Sequence, residues 1–336
     1  MLKCINLSLS NRCNAKCIWC PKSRGTKNNF DLSYDIVVKI VDEISNPTFP
    51  FKVDMIHVSE NGEALYNQDF LKILRYIKKK LPDISINFLS NFGLMTAEIS
   101  ETLLKEKLLT SAQVNIDGHN AGSYKAAKEI SFKSVIKNVK YFLQMREKYD
   151  PNFDFCINVM PAAEYAITVS QSFHVLPDRL EPGSTIPFST FESTKQVLRR
   201  FVPDNVRIRH SKSGLWSERK LVANGTLKFP VPNEELNCPL IDRVKSEAFI
   251  APNGDWYACC LDDNNDLVLG NVLNSSILEI YNSSSRRQLI EKLEARKFDE
   301  IGYPCNAVAA CQTISLPTNH YHKLTSNIPI GENLKF

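Results

Sequence analysis

Three cysteines near the start of the chain, Cys13, Cys17 and Cys20, have the residue type and spacing to hold one metal centre. Soft thiolate ligands select iron–sulfur clusters, zinc or copper. Structural zinc sites usually offer cysteines in pairs and close the coordination shell with four ligands. A lone triplet with gaps of three and two residues can converge on one face of a [4Fe-4S] cube and leave its fourth iron without a protein ligand. The spacing therefore indicates an iron–sulfur cluster with an open coordination position, with a structural zinc loop as the alternative.

This Cys-x3-Cys-x2-Cys pattern, with Trp19 just before its last cysteine, resembles the pattern of the radical S-adenosylmethionine (SAM) superfamily. The resemblance implies that the open iron chelates the amino and carboxylate groups of SAM. An electron from the cluster then cleaves SAM to methionine and a 5′-deoxyadenosyl radical, which abstracts a hydrogen atom from the substrate. The cofactor carries the difficult chemistry, while the protein binds, orients and shields. A reductant such as flavodoxin or ferredoxin is implied as a partner.

Length, charge and cysteine content narrow the class of protein. The 336 residues carry 41 basic and 37 acidic side chains, and the net charge of +4 is too small to indicate nucleic acid as a partner. The chain starts without a signal-peptide pattern and has no run of 18 apolar residues, so we expect no membrane partner and a cytoplasmic location. Ten cysteines in such a chain favour metal ligation over disulfides. Cys4 and Cys156 lie in apolar runs and are expected to be buried, inert thiols.

Short apolar runs alternate with amphipathic stretches from residue 3 to about 215. The strand-like runs are 4–8, 53–59, 84–90, 112–116, 153–160 and 206–210, and the helix-like stretches are 33–44, 69–80, 97–107, 133–148 and 164–173. Six strands alternating with helices predict a parallel sheet built of βαβ units. The resemblance implies an α/β fold with a partial (β/α)6 radical SAM barrel. The active site of such barrels lies at the C-terminal ends of the strands, and Cys13 follows the first strand by a few residues.

A polar bend follows the second strand at residues 59–64. The stretch Asn-Gly-Glu-Ala within it resembles the family's Gly-Gly-Glu-Pro motif, with two of the four positions changed. The resemblance implies that Gly62 and Glu63 contribute to the site of the methionyl amino group of SAM. Gly62 permits a sharp turn, and a side chain there is expected to intrude on the ligand. An ordinary polar turn is the alternative interpretation.

The next two strands end in similar polar motifs. Ser90 and Asn91, in a stretch similar to the family's Thr-Asn-Gly, are implied to lie over the SAM carboxylate or ribose. Asp117 stands in a stretch similar to Ser-Ile-Asp-Gly, with Tyr124 and Lys128 after it, where polar groups face the substrate and adenosine. A lone Asp-Gly is also a plain turn signal.

Five further cysteines follow the barrel, at Cys238, Cys259, Cys260, Cys305 and Cys311. The order Cys-x15-Gly-x4-Cys at residues 238–259 resembles the opening of the SPASM extension, and its Asn-Gly pair predicts a β-hairpin. A full SPASM extension uses seven cysteines for two auxiliary clusters. Five suit the shorter twitch variant, a small α+β domain that holds one auxiliary [4Fe-4S] cluster.

The resemblance implies a four-cysteine ligand set for this auxiliary cluster, namely Cys238, Cys259, Cys305 and Cys311. Cys260 could replace Cys259 because neighbouring side chains point in different directions. Four cysteines also suit a structural zinc site. The predicted domains are the barrel at 1–216, a linker at 217–236, the twitch/SPASM-like domain at 237–318 and a tail at 319–336.

Three functions remain open from the sequence. The first is a radical SAM enzyme that dehydrogenates or epimerises a small polar metabolite such as a sugar, aminosugar or cyclitol; related enzymes include an aminocyclitol dehydrogenase. The second is a maturase that crosslinks, oxidises or epimerises a ribosomal peptide, and the third is a non-catalytic iron–sulfur or zinc protein. An epimerase needs a hydrogen-atom donor, for which Cys260 or Cys156 could serve. A dehydrogenase needs a proton acceptor, for which the candidates are His119, His210 and Arg209.

Overall fold

One nine-stranded sheet organises the protein. The structure, a computed structural model, describes residues 1–21, 29–162, 189–211, 223 and 233–312. Its strands are β1 Cys4–Leu7, β2 Met55–His57, β3 Ser85–Ser90, β4 Ser111–Asn115, β5 Asp154–Val159, β6 Arg207–His210, β7 Glu247–Ile250, β8 Asp255–Tyr257 and β9 Val268–Asn271. Their order across the sheet is β6-β5-β4-β3-β2-β1-β7-β8-β9. The α/β architecture expected from the sequence is confirmed.

Strands β1 to β6 are all parallel and follow one another in chain order. The predicted strands are confirmed, with ends that differ by at most two residues. Parallel strands are covered on both faces, which explains their short apolar runs. Because consecutive parallel strands need a crossover, all six of these strands end at the same edge of the sheet. The polar residues that follow β1, β2, β3 and β4 are brought together there.

Amphipathic helices make the crossovers. They are α1 Tyr34–Ile44, α2 Phe70–Lys80, α3 Ala97–Lys105, α4 Ala121–Lys128, α5 Phe132–Tyr149 and α6 Phe191–Leu198. Helix α1 is typical: Ile36, Ile40 and Ile44 recur on its buried face, and the hydroxyl of its N-cap Ser33 accepts a hydrogen bond from the Ile36 N–H. Helix α4 is absent from the sequence prediction because its eight residues give only two turns of periodicity. The helix-like stretch 164–173 lies outside the described residues.

The C-terminal part continues the same sheet. Strand β7 pairs in parallel with β1, and β7, β8 and β9 then form an antiparallel meander. The predicted hairpin is confirmed between β7 and β8, where Gly254 has a φ of +87°. The helices here are α7 Ile241–Ser246, α8 Ile277–Tyr281, α9 Ser284–Glu294, α10 Phe298–Ile301 and α11 Val308–Gln312. The domain boundaries stay predictions, since most of the linker and all of the tail lie outside the described residues.

Apolar side chains of both parts of the chain form one continuous core. Cys4 and Cys156 are buried in β1 and β5, as predicted. Within residues 1–21, 29–162, 189–211 and 233–312, no helix is both long and apolar enough to cross a membrane. The sheet therefore serves as a rigid platform whose polar edge holds the candidate site.

Candidate active site

The loop after β1 carries the three N-terminal cysteines, and helix α4 fixes its course. The Lys16 N–H donates to the carbonyl of Lys128 over 2.8 Å, and the Ile18 N–H donates to that of Ala127 over 3.0 Å. These carbonyls belong to the last turn of α4, which leaves such groups without partners inside the helix. Trp19 is buried in the small apolar cluster that includes Ala127. The loop is thereby anchored on both sides of Cys17.

The thiols of Cys13, Cys17 and Cys20 line one cavity of about 700 Å³. Cys13 Sγ accepts a hydrogen bond from the Ala15 N–H over 3.4 Å. Burial raises the pKa of the Cys13 thiol to about 11, so cluster binding must displace its proton. Three adjacent thiols, with room beside them, are a donor set that fits an iron–sulfur cluster with one open iron.

The bend at Gly62 packs directly against this loop. Gly62 has a φ of +114°, and a Cβ there would overlap the carbonyl oxygen of Ser10 and come within 2.9 Å of that of Arg12. The Glu63 N–H also donates to the Arg12 carbonyl over 2.7 Å. Glycine is therefore required for close approach to the backbone that leads into Cys13. This backbone contact is a second reason for glycine here, and the intrusion of a side chain on SAM stays a prediction.

Replacing Gly62 by alanine is expected to displace residues 10–12 and to lower the iron content of the anaerobically reconstituted protein by up to half, from about eight to about four per chain, because Cys13 moves with them. Gly302→Ala is the matched control, since Gly302 also has a positive φ (+88°) but has open space where its Cβ would lie. Iron per chain and the thermal unfolding midpoint measure the two effects. Equal iron losses in both variants would show that backbone strain, not the contact, is responsible.

The Glu63 carboxylate joins the ends of β2 and β3. It is buried and accepts hydrogen bonds from the Ser90 hydroxyl and the Asn91 N–H, each over 2.9 Å. Burial raises the pKa of Glu63, and these two donors oppose that rise. The Asn91 amide donates to Asn14 Oδ1 over 2.8 Å and lies 3.7 Å from Cys13 Sγ. Gly62, Glu63, Ser90 and Asn91 all line the cavity, and their contacts with SAM stay predictions.

Asp117 lies below the cavity and does not line it. Its carboxylate forms an ion pair with Lys128 Nζ at 2.9 Å and accepts a hydrogen bond from the Met160 N–H over 2.7 Å. Lys128 lines the cavity instead and also donates to the Asn115 carbonyl. Burial alone would lower the pKa of Lys128, but the neighbouring Asp117 raises it on balance. Asp117 thus holds the lysine that reaches the cavity, and its expected contact with adenosine or substrate stays a prediction.

A second wall of the cavity comes from β2 and from α7. Arg243 donates two hydrogen bonds of 2.8 Å to the Glu247 carboxylate and one of 3.0 Å to Cys260 Sγ. Glu60 lies 3.8 Å from the same guanidinium. Burial raises the pKa of Glu60 to about 7, although Arg243 opposes this rise. The sequence analysis did not identify Arg243 as a site residue. Its spacing of four residues from Glu247 could have predicted an ion pair between the two.

The candidate proton acceptors differ in position. Arg209 lines the cavity, whereas His119 and His210 do not. His119 Nδ1 lies 2.9 Å from the Ser189 hydroxyl. The ring of His210 stacks on Phe191, with ring centroids 4.9 Å apart. Of the three, Arg209 alone belongs to this site.

A separate pocket brings together four C-terminal cysteines, Cys238, Cys259, Cys305 and Cys311. Its remaining lining is apolar, from residues such as Leu293 and Phe298. The neighbouring Cys260 lines the large cavity instead, since adjacent side chains point in different directions. Among the described residues, no three Cys, His or acidic side chains are close enough to hold a single metal ion. Four thiols in one apolar pocket are a donor set that fits a [4Fe-4S] cluster.

Comparison with known families agrees with this geometry. A model of the radical SAM superfamily matches residues 7–155, and a model of SPASM, an iron–sulfur cluster-binding domain, matches residues 238–312. The chain belongs to the radical SAM superfamily. Such domains imply a SAM-binding [4Fe-4S] cluster, an auxiliary cluster and SAM as cofactors. This radical SAM enzyme thus carries its two cysteine groups inside the two matched regions.

Several curated proteins are similar in sequence. A probable GTP 3′,8-cyclase of Methanocaldococcus jannaschii is 22% identical over 285 residues, which cover 79% of this chain and 87% of that protein. The tungsten-containing aldehyde ferredoxin oxidoreductase cofactor-modifying protein of Pyrococcus furiosus is 28% identical over 102 residues, 30% of this chain. The chain spans only 27% of that second relative.

Solved radical SAM structures share the fold. BtrN in complex with AdoMet and 2-DOIA has a TM-score of 0.51 and 14% identity, covering 89% of this chain and 90% of BtrN. Streptococcus suis SuiB bound to SAM has a TM-score of 0.54 and 14% identity, covering 86% of this chain and 68% of SuiB. The enzyme anSMEcpe with AdoMet and Cp18Cys peptide has a TM-score of 0.53 and 11% identity, covering 98% and 99%. At these identities the likeness concerns the fold alone.

Substitutions at the adjacent cysteines of this radical SAM enzyme test the auxiliary ligand set. Cys259→Ala is expected to lose about four irons per chain, because it opens the four-thiol pocket. Cys260→Ala is expected to keep full iron content, because its thiol faces the other cavity. Iron and sulfide analysis after anaerobic reconstitution measures both. The reverse result would assign Cys260 as the ligand.

Proposed function

We propose that this radical SAM enzyme abstracts a hydrogen atom from a small polar metabolite, such as a sugar, aminosugar or cyclitol. The observation that carries the proposal is the single cavity of about 700 Å³, which the three N-terminal thiols share with the polar ends of β2 to β6. Cavities of 300–1,000 Å³ suit small ligands. Asn87, Gln113, Asn115 and Asn158 line it and offer hydrogen bonds to hydroxyl or amino groups.

The residues of the chain have distinct tasks in this proposal. A cluster held by Cys13, Cys17 and Cys20, when bound, supplies the electron that cleaves SAM to methionine and the 5′-deoxyadenosyl radical. Glu63 keeps the ends of β2 and β3 in register beside those thiols. Trp19, which is only 4% exposed, helps to shield the site from water.

Cys260 favours a redox-neutral outcome. Of the five C-terminal cysteines, Cys260 lines the large cavity and the other four line the separate pocket. Hydrogen abstraction breaks a substrate C–H bond and yields 5′-deoxyadenosine and a carbon radical. Homolysis of the Cys260 S–H bond returns one hydrogen atom to that carbon, and the thiyl radical then takes one electron and one proton from the external reductant. If the hydrogen returns to the opposite face, the net reaction is epimerisation.

Deuterium incorporation tests the proposal directly. The reconstituted enzyme is incubated in D2O with SAM, a reductant and a panel of sugars, aminosugars and cyclitols, free and phosphorylated. We expect a product that carries one deuterium on carbon, since the thiol exchanges with solvent. Cys260→Ala is expected to still form 5′-deoxyadenosine but no deuterated product. Cys156→Ala, which removes the other cavity-lining thiol outside the N-terminal triplet, serves as control. A product two mass units lighter without deuterium would indicate dehydrogenation.

Two other substrate classes belong in the same panel. The relatives named GTP 3′,8-cyclase make GTP the first nucleotide to include. SuiB has been solved with its precursor peptide SuiA, which makes ribosomal precursor peptides the second class. Turnover of either one, with none of the small metabolites, would overturn the proposed substrate class and leave the radical chemistry in place.

A further inference from the structure

Strand β6 presents two arginines to the cavity at positions two residues apart. Arg207 pairs with Cys156 and Arg209 with Asn158 in the parallel register of β5. Because side chains of a strand alternate between its faces, both arginines lie on the same face, and both line the cavity. They differ in what neutralises them.

Arg207 is neutralised by Asp154. Its Nη2 donates hydrogen bonds of 2.8 and 3.0 Å to the two carboxylate oxygens. Arg209 is held by neutral amides: its Nε donates to Asn158 Oδ1 over 3.2 Å, and its Nη2 donates to Gln113 Oε1. Within the described parts of the chain, no carboxylate forms an ion pair with Arg209. The amides orient the guanidinium, and no carboxylate among the described residues compensates its positive charge.

The other cationic side chains that line the cavity have carboxylate partners, unlike Arg209. Lys128 is paired with Asp117, and Arg243 is paired with Glu247. Two more carboxyl groups line the wall: Glu60, near Arg243, and Asp263, which accepts a hydrogen bond from the Tyr303 hydroxyl. An anionic group is therefore disfavoured beside Glu60 and favoured beside Arg209. An oriented guanidinium with donors to spare suits the paired oxygens of a carboxylate or phosphate.

We infer that Arg209 binds an anionic group, a carboxylate or a phosphate, on the substrate of this enzyme. The inference rests on the proposed function, because it takes the large cavity as the substrate site. It narrows the substrate class from polar metabolites in general to acidic ones. Gln113 and Asn158 act as positioning residues, since each holds the guanidinium by one hydrogen bond.

Calorimetric titration of the anaerobic holoenzyme with inorganic pyrophosphate and, separately, malonate tests the inference at low ionic strength. We expect at least one of the two anions to bind. The anion with the lower dissociation constant identifies the anionic group of the substrate as a phosphate or a carboxylate. Arg209→Gln is expected to weaken that binding at least about tenfold, as for loss of a charged hydrogen bond. Arg209→Lys should recover only part of it, because a lysine lacks the planar fork.

The double variant Asp154→Asn plus Arg207→Gln is the matched control. It removes the neighbouring ion pair without changing the net charge, and its anion affinity is expected to stay within twofold of the unmodified enzyme. The inference is overturned if Arg209→Gln binds as well as the unmodified enzyme, if the double variant loses as much, or if neither anion binds at all. SAM cleavage by the same unmodified preparation tests the proposed function separately.

Discussion

Replacing Cys13, Cys17 and Cys20 together by alanine is expected to abolish SAM cleavage and to lower the iron content from about eight to about four per chain. The three thiols share one cavity and no other cysteine near them replaces a ligand, since Cys260 is held by Arg243 and Cys156 is buried in β5. The four C-terminal thiols lie in their own pocket and should keep their cluster. Iron and sulfide analysis, together with chromatography of 5′-deoxyadenosine, measures both effects.

Cys4→Ala provides the control for this triple substitution. Cys4 is buried in β1 at the start of the same segment and lines neither cysteine pocket, so its loss should change neither iron content nor cleavage. SAM cleavage that survives the triple substitution would contradict the assignment of the catalytic cluster. Four irons in the unmodified protein, with zinc at the C-terminal pocket, would contradict the auxiliary iron–sulfur cluster and leave the radical chemistry intact.

The features that were predicted correctly from the sequence are those encoded by residues close together in the chain. Cys13, Cys17 and Cys20 lie within eight residues, so their spacing alone indicates a shared centre. The strands are short apolar runs bounded by turn signals, which explains why their positions were predicted within two residues. The C-terminal cysteines are far apart in sequence, and their common pocket was expected from the resemblance rather than from periodicity. The structure adds that Cys259 lies in the pocket of the other three cysteines, whereas Cys260 lines the large cavity.

The pairing of strands that are far apart in the chain could not be predicted from the sequence. The parallel contact of β7 with β1 joins residues some 240 positions apart, and no local signal encodes such a register. The ion pair of Asp117 with Lys128 was not predicted either, because Lys128 lies on a helix too short to show a clear period. Tyr124 and Lys128 were noted after Asp117 in the sequence, but their burial, and with it the buried ion pair, is visible only in the structure.

The Lys128–Asp117 pair should control both stability and cluster binding. Both side chains are almost completely buried, at 3% and 1% exposure. Replacing Lys128 by methionine leaves the Asp117 carboxylate without its partner, which should cost about 3 kcal/mol of unfolding free energy. Because the carbonyls of Lys128 and Ala127 hold the loop at Lys16 and Ile18, we also expect lower iron content. Thermal unfolding of the anaerobic holoenzyme by circular dichroism, with iron analysis, measures the two effects.

Two further variants distinguish the effect of leaving a buried carboxylate unpaired from the effect of removing a basic side chain. Arg75→Met breaks an exposed pair with Glu106, whose 2.7 Å contacts are short but solvated, and should cost less than about 1 kcal/mol. Combining Lys128→Met with Asp117→Asn removes the uncompensated charge, so part of the lost stability should return. A double variant no more stable than Lys128→Met would mean that packing around the lysine, and not its charge, anchors α4 beneath the cysteine loop.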